Sequence, residues 1–187
     1  MTTTALHLDR TALEAGLPHI KQSPPDNGRV EGIVIRPKTD ERVNLQECEL
    51  SPELGLHGDN WPSRVNSLSF PDGSPNPKTQ VALMNSRTID LIAQSKERWP
   101  LAGDNLYVDL DIGEENLQPG QRLSAGSAIL EITEIPHTGC DKFVKRFGAD
   151  ALKFVNSKEG RKMRLRGVYA QIVQAGKIKV GDVVSKV

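Results

Sequence analysis

Apolar residues recur along this chain with two different periods. In the run Ser127 to Ile135, Ala128, Leu130 and Ile132 fall on one side and Ser127, Ile129 and Glu131 on the other. That alternation is the mark of a strand with one buried face. Asn105 to Leu110 alternates too, and Gly167 to Val173 is the strongest strand signal in the chain. Shorter strand-like runs cover Val30 to Ile35, stopped by Pro37, and Arg42 to Leu45, which reads as a hairpin partner continuing towards Leu50. Gln80 to Met84 is a short apolar strand. Pro119-Gly120 is a turn, Ala175-Gly176-Lys177 leads into Ile178 to Val180, and Gly181-Asp182 turns into Val183-Val184.

Helical spacing is confined to a few segments. Residues 9–19 form one, with Asp9 as its cap and Ala12, Leu13 and Leu17 on one side. Ser86 is the expected N-cap of a second helix running to Trp99, with Ile89, Ile92 and Ala93 at i, i+3, i+4 spacing. A third follows Cys140, placing Phe143, Val144 and Phe147 on one face and ending at Gly148, and Ala149 to Asn156 adds one or two further turns. Between them, residues 51–79 hold five of the twelve prolines and no sustained period, a length of loop that usually serves function. Many short strands, glycine turns and two or three helices predict a mainly β (α+β) fold, a β-barrel with helical decoration. The boundaries expected are a helical extension and linker over 1–27, ending in Ser23-Pro24-Pro25-Asp26-Asn27-Gly28, and a barrel domain over 28–187.

At 187 residues the chain can bury roughly 70% of its unfolded surface in a single core. No apolar run approaches the ~20 residues of a membrane-spanning helix. The start of the chain lacks a basic, then apolar, signal peptide. Two cysteines, Cys48 and Cys140, are too few for a disulfide framework, so a reducing cytoplasm is the expected location.

Net charge is zero, but from His137 to Arg166 nine Lys/Arg face three acids. A basic segment around one thiol suits a compact anion better than nucleic acid, although several of these charges belong to a solvated helix face. Cys140 follows a glycine turn and opens the cationic helix. Thiolate is the nucleophile and metal ligand, and nearby cations favour it, so a reactive or metal-binding sulfur is one reading; a small buried hydrophobe is the other. His137 can reach that sulfur or a substrate, with an ordinary pKa of ~6.5 that would make the contact pH-sensitive, or can be a turn residue after Pro136. His57 lies in a glycine-rich loop and faces either the site or solvent. Cys48, between Glu47 and Glu49, is structural. No Gly-x-Gly-x-x-Gly or Walker loop is present, and His137-x-x-Cys140 lacks a second pair with zinc-site spacing.

Several elements then occur in a telling order. Gly55-Leu56-His57-Gly58-Asp59 is followed by Gly103-Asp104-Asn105-Leu106, by Gly139-Cys140-Asp141-Lys142-Phe143, by Phe147-Gly148, by Arg166-Gly167-Val168-Tyr169-Ala170 and by Gly176-Lys177-Ile178 with Gly181-Asp182. Over roughly residues 28–186 this resembles the MOSC domain, named for the C-terminal part of molybdenum cofactor sulfurase. Departures are His137 and Gly139 where the family commonly has Arg and Pro, and Asn60-Trp61 after the Gly-Asp pair.

The resemblance implies a strand-rich barrel similar to the small barrel domain of pyruvate kinase, and a cysteine that binds sulfur or molybdenum. Cys140 matches that cysteine, Arg166 the arginine of the Arg-Gly-x-Tyr element, and Asp59 and Asn105 polar positions of two others. A soft thiolate suits a soft or sulfur-rich metal centre, and Lys142, Lys145, Arg146, Arg164 and Arg166 are candidates to clamp a pterin phosphate. The expectation is a small standalone protein that holds molybdenum cofactor through Cys140 and reduces N-hydroxylated small molecules with electrons from a separate reductase. The alternative is a sulfur carrier with a persulfide on Cys140, loaded by a separate cysteine desulfurase. A nucleic-acid-binding barrel ranks last, because Phe143, Phe147 and Phe154 read as core residues.

Overall fold

A computed structural model describes residues 7–187; the first six residues, on which the signal-peptide reading rests, lie outside it. Eleven strands run in chain order as β1 (Gly28–Ile35), β2 (Val43–Leu45), β3 (Glu47–Ser51), β4 (Gly55–Leu56), β5 (Val81–Asn85), β6 (Leu106–Asp109), β7 (Arg122–Ala125), β8 (Ala128–Ile132), β9 (Val168–Gln174), β10 (Gly176–Lys179) and β11 (Val183–Lys186). Seven of them close a barrel in the order β11-β7-β8-β9-β5-β6-β1, with β1 returning to pair β11. Neighbours are antiparallel except β5 and β6. β2 extends β1, and β10, β3 and β4 form a separate three-stranded sheet.

Six α-helices decorate it: α1 (Arg10–Ala15), α2 (Leu17–Ile20), α3 (Ser86–Ala93), α4 (Asp141–Phe147), α5 (Ala149–Val155) and α6 (Lys158–Lys162). No helix among the described residues is long and apolar enough to cross a membrane.

Burial explains which strands alternate in sequence and which do not. In β8 and β9 every second residue is buried and its neighbours are part-exposed, so one face meets the barrel interior and the other meets solvent. β5 is buried throughout. Its Leu83 joins the barrel core with Ile33, Leu106, Val108, Leu130 and Ala170, while Met84 faces outward into a second core. Val34 and Tyr107 do the same from β1 and β6, against Leu13, Ile89, Trp99, Phe143, Phe147 and Phe154. The helices therefore cover one side of the barrel, and the parallel pair β5–β6 lies beneath them, as parallel strands do.

Three local expectations change. The helix expected from Ser86 to Trp99 stops at Ala93, because Gln94 turns left-handed at φ 63° and a 3-10 segment, Lys96–Ala102, carries Trp99 and Pro100. Its cap is Asn85, whose Oδ1 accepts from Thr88 N at 2.9 Å. The strand from Arg42 towards Leu50 breaks after Leu45, and β3 leaves the barrel to pair β10. Residues 9–19 hold two helices rather than one, divided at Gly16, with Pro18 in the first turn of α2.

Candidate functional site

Cys140 stands where an irregular strap from the end of β8 reaches α4. It has extended backbone (φ −129°, ψ 179°), and its thiol is free and exposed. Beside it opens a cleft of about 370 Å³ whose walls carry Arg36, Arg42, Arg64, Lys142, Arg146 and Arg166. No carboxylate lines it among the described residues.

Arg36, at the end of β1, is held from behind. Its Nε and Nη2 fork onto the Asp59 carboxylate at 2.9 and 3.0 Å, Nη2 also donates to Asn105 Oδ1, and Nη1 donates to Gly103 O. Asn105 in turn donates to Val34 O and Asp59 Oδ2 and accepts from Ala82 N. Burial pushes the Asp59 carboxyl up, but the hydrogen bonds and charge of Arg36 and the N–H of Trp61 outweigh it and hold the group below its usual range. Asp59 and Asn105 thus support a cleft arginine and are not part of the lining.

Arg166 is set the same way. Nη1 donates to Asp104 Oδ2 at 2.7 Å, Nη2 to Ala102 O at 2.9 Å, and the guanidinium lies 5.1 Å over the Phe143 ring. Burial pushes the fully enclosed Asp104 carboxyl up, against the pull of Arg166. Arg42 and Arg64 are looser. Burial lowers the pKa of both, and neighbouring cations, Arg146 and Arg36 for Arg42 and Arg36 for Arg64, lower it further. The Nε atoms of Arg42, Arg64 and Arg166 are all buried without a hydrogen-bond partner. Unpaired buried donors cost about 1–3 kcal/mol each, so three on one cleft make an anion welcome there.

His137 lies on the strap with its ring stacked on Tyr169, centroids 4.3 Å apart. Its side chain is 8% exposed and Nδ1 sits 3.6 Å from Asp104 Oδ1. Burial, then the charges of Arg166 and Arg36, push its pKa well below the ordinary value, so the ring is neutral and not poised to titrate near pH 6.5. The sign follows from linkage: below about pH 6.5 the unfolded chain takes a proton that the native histidine refuses, so stability falls on acidification. Between pH 7 and 5, wild type is expected to lose up to about 1.4 kcal/mol per pH unit below 6.5 relative to His137→Phe, measured by urea unfolding.

The other sequence candidates divide. Lys142 and Arg146 form the rim with Asp40, at 3.9 and 3.1 Å, and Arg146 also donates to Leu101 O. Arg164 instead donates to Ile112 O and Leu117 O and lines a different cleft of about 330 Å³. His57 turns to Glu49 and Ser51 beside the three-stranded sheet, outside the lining of the Cys140 cleft. Cys48 is buried, its thiol pushed up to about 11 by burial. Sequence reasoning missed Arg36, Arg42, Arg64 and the roles of Asp104 and Tyr169. The last two sit inside the Gly103–Leu106 and Arg166–Ala170 elements, which marked the place if not the role; Arg42 sits just before β2, at the start of a run read only as a strand, and Arg64 in an irregular segment without any periodic signal.

Among solved structures, the fold is similar to the YuaD protein from Bacillus subtilis, at 17% identity over 84% of this chain and 94% of that one, with a TM-score of 0.59. It is also similar to YiiM from Escherichia coli, at 18% identity over 85% and 69%, TM-score 0.55, and to YiiM from Geobacillus stearothermophilus, at 14% over 86% and 75%, TM-score 0.56. At such identities the likeness concerns the fold. No curated protein matches the sequence. The family model of the MOSC domain matches residues 71–185, which include β5, β6, the strap, Cys140 and the Arg166–Tyr169 element. The chain belongs to the MOSC domain family.

Proposed function

We propose that the Cys140 cleft holds a molybdenum cofactor and that the protein reduces N-hydroxylated small molecules with electrons from a separate reductase. The observation that carries this reading is the pairing of an exposed thiol with three arginines whose buried Nε atoms lack partners. Among the described residues no cluster of three His, Cys, Asp or Glu side chains could hold a metal, and Cys140 is the exposed thiol that would serve as its ligand. A soft thiolate suits that role, and the arginines suit the pterin phosphate, which their planar forks can bind bidentately. When bound, the molybdenum centre supplies the oxygen-atom and two-electron chemistry. The residues of the chain anchor it: Cys140 by its sulfur, Arg42 and Arg64 by their free donors, and Arg36 and Arg166 by positive charge fixed on buried carboxylates.

The test is the molybdenum and pterin content of protein purified anaerobically from a cofactor-competent host. Near-stoichiometric molybdenum is expected in wild type and under a tenth of that in Cys140→Ser, with unchanged thermal stability because the side chain is exposed. Arg64→Gln is expected to lose pterin while keeping the thiol titratable.

Exposure of Cys140 also favours a second reading, in which it accepts a sulfane sulfur from the persulfide of a cysteine desulfurase. A trapped persulfide on Cys140 in protein that binds neither pterin nor molybdenum would replace the first reading with this one.

A further inference from the structure

The strap residues Pro136 to Thr138 form a wall between two clefts, lining both the Cys140 cleft and the one that holds Arg164. His137 is the ionisable side chain in that wall, and the Arg166-Gly167-Val168-Tyr169 element converges on it. Tyr169 lies under its ring. Arg166 occupies Oδ2 of Asp104. Gly167, at φ +109°, leaves the space between them: a Cβ there would stand 3.1 Å from His137 Nδ1 and 3.3 Å from Asp104 Oδ1.

What remains is Nδ1 and Oδ1 facing each other at 3.6 Å, both buried and neither with a hydrogen-bond partner. Paired with the Arg166 guanidinium at 2.7 Å, Asp104 is taken as the carboxylate, whose Oδ1 can only accept, so the arrangement that satisfies both atoms puts the imidazole proton on Nδ1. A closure of a few tenths of an ångström then makes a normal hydrogen bond. The other ring nitrogen is left bare. His137 lines the Cys140 cleft, whose charged side chains are all donors, and a bare Nε2 would give it a nitrogen that accepts.

We infer that Asp104 is a positioning residue that fixes the Nδ1–H tautomer of His137, leaving Nε2 to accept a hydrogen bond from a ligand N–H or O–H. The consequence is selectivity. The cleft takes N–O compounds that keep a donor hydrogen, such as hydroxylamines, over N-oxides that have none. A site built to bond a donor rejects the analogue lacking it far more strongly than an apolar pocket rejects a methylene. The selectivity rests on the reduction proposed above; the tautomer does not.

Two experiments separate them. In cofactor-free wild-type protein, long-range proton–nitrogen spectra of the imidazoles, with His137 identified by its absence in His137→Gln, are expected to show Nδ1 protonated and Nε2 bare. Asp104→Asn, whose amide can donate to Nδ1, is expected to shift the proton to Nε2. A wild-type ring protonated on Nε2 overturns the inference even if Asp104→Asn does not fold. In cofactor-loaded protein, kcat/KM for hydroxylamine is expected to exceed that for trimethylamine N-oxide at least tenfold, worth about 1.4 kcal/mol. His137→Phe, which keeps a ring on Tyr169, is expected to bring the two within about threefold, mainly through KM. Equal use of both by wild type defeats the selectivity. Turnover of neither defeats the reduction itself, while the spectra still decide the Asp104–His137 assignment.

Discussion

Gly167→Ala is expected to destabilise the protein by about 2–6 kcal/mol, from roughly 1–3 kcal/mol of backbone strain and a similar overpacking cost. At φ +109° the backbone there is one that L side chains rarely adopt. The added Cβ would also stand 2.3 Å from Leu83 O, on β5 in the centre of the barrel. Leu83 pairs with Val168 in the β5–β9 ladder, so neither backbone can yield without opening the seam. For a chain of this size the Tm should fall by roughly 4–24 °C. Gly120→Ala is the control: φ is +86° there too, but nothing lies within 4 Å of the new Cβ, so only the backbone strain is added. Thermal denaturation of the two variants side by side checks the point. Equal losses would show that the Leu83 contact relaxes without cost.

Asp59→Ala is expected to cost about 3–5 kcal/mol, the usual result of removing one member of a buried ion pair. The carboxylate accepts from Arg36 N, Nε and Nη2, from Asn105 Nδ2 and from Trp61 N, and both partners of the ion pair are nearly enclosed. Without it Arg36 keeps its charge in the cleft wall and loses its counterion. Asp59→Asn keeps the shape and should lie between alanine and wild type. Urea unfolding measures the loss. Calorimetric titration with inorganic phosphate tests the coupling: a misplaced Arg36 should weaken phosphate binding, and unchanged binding in Asp59→Asn would show that the arginine holds its position without the pair.

The barrel was legible because its alternating strands advertise one buried face. Ala128, Leu130 and Ile132 are buried as their spacing required, and β9 alternates along its length. The Ser86 helix was overextended because Trp99 continues the apolar spacing, yet it reaches the same second core from a 3-10 turn after the left-handed Gln94. Backbone reversals at a non-glycine residue leave no periodic trace. The site was half legible. Cys140, His137 and Arg166 line one cleft, as do Lys142 and Arg146 at its rim. Short polar motifs single out Asp59 and Asn105 as cofactor contacts, but a motif marks a position and not the direction of a side chain; both turn inward to Arg36. Arg164, a candidate phosphate clamp two residues before the better-placed Arg166, has a left-handed backbone at φ 50° and reaches the carbonyls of Ile112 and Leu117 instead.

The closing seam of the barrel, Gly28 and Arg29 of β1 against Val184 and Val183 of β11, joins the first and the last strand of the described residues. On the ribosome β1 can find β6 early, but its edge towards β11 stays open until the last of the seven strands emerges. Loop-closure entropy must be met before that contact forms, which slows the step. An unpaired edge held open for that interval is a template for pairing with another nascent chain. A variant in which β11 is slow to join is therefore expected to lose material to association between chains before the barrel closes.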